Sequence, residues 1–145
     1  MRTIGRHRFT TLLLAVVLAA ATGCSGAIVT GPSTPTTPAT TTSTFSGTIA
    51  QLGADTHVFA VSATGTVQIT LTSVAPLSTM SLGVGVMTSD GTSCISTITQ
   101  NDNARTTGTA LQGTAAAGNY CVRVYDSGNV PVGSSADYTV QVTHP

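Results

Sequence analysis

"GTVQITLT", residues 65–72, decides the fold class. Val67, Ile69 and Leu71 alternate with Thr66, Gln68, Thr70 and Thr72. A period of two sends the aliphatic side chains to one face of a strand and the polar ones to the other; a helix would scatter both kinds around its surface. Val, Ile and Thr are stiff at χ1 and suit a pleated backbone. A strand that is wet on one face needs a second layer for the other, so this segment already implies an antiparallel sheet packed on a core.

The pattern recurs along the chain. "HVFAV" (57–61) aligns His57, Phe59 and Val61, and "SLGVGVM" (81–87) aligns Leu82, Val84 and Val86 with Gly83 and Gly85 between them. "NYCVRVY" (119–125) sets Tyr120, Val122 and Val124 against Cys121, Arg123 and Tyr125; "DYTVQVT" (137–143) aligns Tyr138, Val140 and Val142. Weaker strands fit 44–51, 93–99 and 107–113. Turn signals fall between the runs: "TG" at 64–65, "DG" at 90–91, "NDN" at 101–103, "AAAGN" at 115–119 and "DSGN" at 126–129. No segment after Phe45 has a helical period. The expectation is an all-β antiparallel sandwich of about eight strands over residues 44–145.

The N-terminal part reads differently. Residues 1–23 have the order of a secretory signal: Arg2, Arg6 and Arg8, then the apolar run "LLLAVVLAAA" at 12–21, then small residues. Ten residues rise roughly 15 Å as a helix, about half of a ~30 Å hydrocarbon core, which argues against a permanent span. "ATGC" at 21–24 resembles the lipobox of bacterial lipoproteins. In that family the cysteine becomes the N-terminus and its sulfur carries a diacylglycerol, often with a further acyl chain, so the resemblance implies a membrane anchor on Cys24. Ser25 in place of an Asp implies outer-membrane sorting. An ordinary cleaved signal with Cys24 left as a free thiol is the alternative. Residues 24–43 then form a tether: "TGPSTPTTPATTTST" at 30–44 holds eight Thr, three Pro and two Ser and no charge, so it cannot bury a face. Extended, residues 25–43 reach ~60 Å.

Charge narrows the partners. Only 7% of residues are charged, and there is no Lys, Glu or Trp. Without the leader, Arg105 and Arg123 face Asp55, Asp90, Asp102, Asp126 and Asp137. A mildly acidic domain has no footprint for nucleic acid, and the absence of Trp weakens a carbohydrate platform. With Cys24 assigned to lipid, Cys94 and Cys121 remain as a pair. In an oxidising compartment a disulfide between them is the default, with unpaired or intermolecular thiols as the alternative. If Val122 points inward, Cys121 points outward, which places the bridge on a sheet surface or edge.

"AAGNYCVRVYD" (116–126) followed by "DYTVQV" (137–142) resembles the closing strands of the bacterial pre-peptidase C-terminal (PPC) domain, with "DTHVFAV" and "GTVQITLT" matching its earlier strands. The resemblance implies a jelly-roll-like β-sandwich that is not itself catalytic. Some members of the family bind collagen or calcium, the latter through a cluster of acidic and amide ligands near the domain start. Here only Asp55 lies in that region, and no peptidase is attached.

Three candidate chemistries remain. Asp55 and His57 share a strand face and invite a hydrolase reading, but no G-x-S-x-G elbow accompanies them. Asp102 and Asp126 are calcium candidates, against the plainer reading as Asx turns. Arg123 and Tyr125 are a candidate contact for a protein or glycan, against ordinary cross-strand packing. The expected function is a non-enzymatic binding module tethered at a bacterial envelope. It uses no cofactor and engages an envelope or extracellular partner through a sheet face or loops. A small hydrolase or hydrolase accessory, and a purely structural envelope protein, are the alternatives.

Overall fold

The computed structural model describes residues 37–145. The leader, Cys24 and most of the tether lie outside the described residues. Eight strands follow: β1 (Thr41–Ala50), β2 (Ala54–Val61), β3 (Gly65–Ala75), β4 (Leu82–Ser89), β5 (Cys94–Ala104), β6 (Thr109–Ala115), β7 (Gly118–Tyr125) and β8 (Ser135–His144). They form two four-stranded sheets, ordered β1-β8-β3-β6 and β2-β7-β4-β5, with every pairing antiparallel. This is the strand order of a jelly roll.

The alternation read from sequence is the alternation of burial. Val67, Ile69 and Leu71 on β3, Val122 and Val124 on β7, and Val140 and Val142 on β8 all join one core cluster with Phe59, Val61, Leu82 and Val84. β1 takes in Thr41 to Ser43, which the sequence reading gave to the tether. Their pairing with His144, Thr143 and Val142 of β8 draws them in.

Two expectations need correction. "NDN" at 101–103 is strand, not turn: it lies within β5. β5 is an edge strand whose register against β4 slips by one residue between Leu82 and Val84, and slips twice more toward Ser89. The turn-prone residues occupy such a bulge, and Asn101 Nδ2 donates to Ala110 O at 2.9 Å to hold it. The Cys94–Cys121 disulfide forms, with Cα atoms 5.8 Å apart. It lies outside the core cluster, as alternation requires, yet Cys121 has no solvent exposure. It is flanked in the sheet by its register neighbours Val58 and Met87 and bonded to Cys94.

Antiparallel pairing sorts the connections between the two ends of the sandwich. The β1–β2, β3–β4, β5–β6 and β7–β8 loops share one end; the β2–β3, β4–β5 and β6–β7 turns share the other. β1 starts at the turn end, so the chain enters the domain opposite its four loops.

Candidate functional site

The four loops are joined side to side by hydrogen bonds. Asp126 begins the chain of contacts. Its Oδ1 accepts from the backbone N–H groups of Gly128 (2.8 Å), Asn129 (2.8 Å) and Val130 (3.0 Å). Its Oδ2 accepts from Leu52 N–H at 2.9 Å, and its own N–H donates to Gly53 O at 2.9 Å. The β7–β8 loop is thereby tied to the β1–β2 loop. Asn129 Nδ2 donates to Ser81 O and Oγ, tying it to the β3–β4 loop. Arg105 Nη1 reaches Thr79 O, and Thr106 Oγ1 reaches Ser78 O, tying that loop to β5–β6. Burial pushes the Asp126 carboxyl up, but the four N–H donors outweigh it and hold the group below the usual carboxylate range.

This framework presents apolar side chains to water. Leu52 is 84% exposed, Val132 84% and Leu77 57%. Leu52 also has φ +58°, a left-handed conformation that costs a residue with a Cβ about 1–2 kcal/mol. The Asp126 bond and the Gly53 N–H to Ala50 O bond over-determine it. Core packing gains nothing from holding an exposed leucine in this way.

On the flank of the same end, Arg123 lies with its guanidinium 4.8 Å from the Tyr125 ring centroid. The Tyr125 hydroxyl donates to Asp102 Oδ1. Burial first, then that carboxylate, pushes the phenol up to about 12, against the pull of Arg123. The ring rests on β4 where Gly83 has no side chain; a Cβ there would overlap it. The three sequence-predicted residues Asp102, Arg123 and Tyr125 therefore meet, but much of their bonding capacity is used on one another.

Asp55 and His57 also meet, through a residue that the sequence reading assigned only to the core. Tyr138 OH donates to Asp55 Oδ2 at 2.7 Å and lies 2.7 Å from His57 Nε2. The direct Asp55–His57 approach is 3.5 Å. The phenol has one proton and donates it to the Asp55 carboxylate, so its oxygen meets His57 Nε2 as an acceptor, with Nε2 as the donor. A general base needs that nitrogen free to accept a proton from a nucleophile. Phe45 stacks on the imidazole at 4.8 Å between centroids. Gly47 leaves room for the cluster: a Cβ there would come within 2.5 Å of Asp55 Oδ2 and 2.7 Å of the Tyr138 hydroxyl. Desolvation, reinforced by Asp55, raises the Tyr138 phenol above its ordinary range.

No family model matches the chain, and no curated protein matches it. Among solved structures it is similar to the crystal structure of Aeromonas hydrophila PliG, a periplasmic lysozyme inhibitor of g-type lysozyme. The identity is 17%, the match covers 70% of this chain and 83% of that one, and the TM-score is 0.46.

Among the described residues no group of three or more His, Cys, Asp or Glu side chains stands together to hold a metal ion. Asp102 accepts from Tyr125 and from Gln100 Nε2, and Asp126 is filled by backbone donors. The sequence reading named Asp126 and the turn it makes, but not its bond to Leu52. A buried tyrosine needs a partner for its hydroxyl, and that rule was the available signal for Tyr138.

Proposed function

We propose that this protein is a non-catalytic interaction module, held to a bacterial envelope through lipid on Cys24 and a Thr/Pro tether, with a PPC-like jelly roll as its displayed part. The partner is a protein, bound at the four-loop end. The observation that carries this reading is the hydrogen-bonded linkage of four loops beneath exposed Leu52, Leu77 and Val132. Loops fixed on a rigid β-scaffold are a common place for recognition. Pre-ordering removes part of the entropy cost of association. Strand β1 starts at the opposite end, so the chain leading into the domain leaves the four loops uncovered at its point of entry.

The test pairs Leu77→Glu with Val132→Glu. Capture of a partner from native envelopes should fall sharply while the melting temperature stays within a degree or two. Unchanged capture removes the loop end from the interface. The hydrolase reading makes a different forecast, turnover that depends on His57, and a His57→Ala control in an activity screen separates the two.

A further inference from the structure

The β1–β2 loop is a four-residue turn, Ala50-Gln51-Leu52-Gly53, closed by the Gly53 N–H to Ala50 O bond at 2.9 Å. Leu52 is its third residue. Among the described residues it alone has a positive φ, +58°, without being a glycine. A left-handed third residue in such a turn calls for glycine or asparagine, because a Cβ crowds the following carbonyl. The glycine of this turn stands one place later. Gly53 is needed there, since a Cβ on it would come within 2.8 Å of Ala50 O. The position that would gain most from glycine carries instead a leucine that is 84% exposed.

Asp126 clamps the turn on both sides of that leucine. Its carboxylate accepts from Leu52 N–H, and its own N–H donates to Gly53 O, each at 2.9 Å. Asp126 is itself buried and held by the N–H groups of Gly128, Asn129 and Val130. The root of the Leu52 side chain is therefore fixed in space, and only its own torsions are left to vary. Strained backbone persists where its surroundings over-determine it, and it collects at ligand contacts. Leu52 has no part in the core cluster, so the fold does not account for it.

The fixed geometry selects the occupant. A fluid bilayer takes up an apolar side chain in any conformation, and its grip follows buried area alone, so a clamp adds nothing there. A second copy of this chain, meeting the first loop end to loop end, offers the further protrusions Leu77 and Val132. A pocket with fixed walls is what benefits from a side chain already in place, because the ordering cost of binding is reduced. We propose that Leu52 is the anchor of the four-loop interface, an aliphatic knob that fills a preformed apolar pocket in a folded protein partner. This rests on the reading of the loop end as a protein-binding surface and adds the residue and the kind of recess that set its specificity.

The test uses the full chain in its native cells at low expression. A diazirine analogue of leucine replaces Leu52, and its adducts after irradiation are mapped by mass spectrometry. The expected adduct is one other protein, joined through residues of a single apolar recess. Adducts to phospholipid, to a second copy of this chain, or scattered over many proteins overturn the proposal. A separate protein carries a photoreactive amino acid at position 132, which reports loop-end binding without using Leu52. Its protein adduct should fall about tenfold or more in Leu52→Gly, the loss expected when one leucine side chain no longer leaves water. The adduct should survive in Leu52→Met, which keeps an apolar chain of similar volume. The Leu52→Gly melting temperature should hold or rise by a few degrees, since strain is relieved while the unfolded chain gains freedom. A fall of that size shows that Leu52 serves the fold and overturns the proposal. An undiminished position-132 adduct in Leu52→Gly overturns the anchor alone and leaves the loop-end interface standing. No adduct from position 132 in the parent protein overturns both.

Discussion

Asp126 and Leu52 are 74 residues apart in sequence and joined by one hydrogen bond, from Leu52 N–H to the Asp126 carboxylate at 2.9 Å. That bond ties the β1–β2 loop to the β7–β8 loop, at one end of the run of contacts that links all four loops. Asp126→Ala leaves four N–H groups without their acceptor and should cost roughly 2–3 kcal/mol, measured by denaturant melts. The pH dependence has a definite sign. The folded carboxyl is held below its unfolded value, so the stabilisation is fully present above the unfolded pKa and is lost as pH falls through the folded one. The melting temperature should be level above about pH 5 and drop below about pH 4, less steeply in Asp126→Asn.

Gly83 and Gly113 should respond oppositely to the same change. Gly83→Ala drives a methyl group into the Tyr125 ring and should destabilise by about 1–3 kcal/mol. Gly113→Ala meets open space and should be neutral or stabilise by up to about 1 kcal/mol. Thermal melts of the two variants, side by side, check both signs.

Removing the disulfide should lower stability by about 3.5 kcal/mol, the chain-entropy value for a 27-residue separation. Cys94→Ala with Cys121→Ala, compared in urea with the parent protein and with the reduced parent, measures it. An unchanged midpoint contradicts a formed bond.

Alkaline titration should distinguish two of the tyrosines. Burial, then a carboxylate partner, raises both Tyr125 and Tyr138 above the ordinary phenol value of 10.0, Tyr125 to about 12. A raised acid favours the folded state while it stays neutral. Stability is therefore retained below pH 10 and declines as pH rises from about 10 toward 12. Tyr125→Phe should soften that decline, followed by phenolate absorbance alongside the melt.

What was legible in the sequence follows from geometry. Period two survives any tertiary context in which one face is buried, so β3, β7 and β8 were readable from Val67 to Leu71, Val122 and Val124, and Val140 and Val142. The "NDN" stretch misled because bulges on an edge strand accept turn-forming residues. Cys121 was assigned the correct face, but its neighbours Val58, Met87 and Cys94 come together only in three dimensions. Asp126 was legible as an Asx turn, since its bonds to Gly128 and Asn129 are local; its bond to Leu52 was not. Nor were the empty space at Gly113 and the overlap at Gly83 separable, because both read simply as glycine in a strand.

The most direct measurement of the central claim is site-specific photo-crosslinking in intact native cells. A photoreactive amino acid is placed at position 132, on the four-loop end, and in a separate protein at position 64, in the β2–β3 turn at the opposite end. The account predicts a discrete protein adduct from position 132 and none of that mass from position 64. The same adducts from both positions, or none from position 132 while the protein remains folded and anchored, would contradict it.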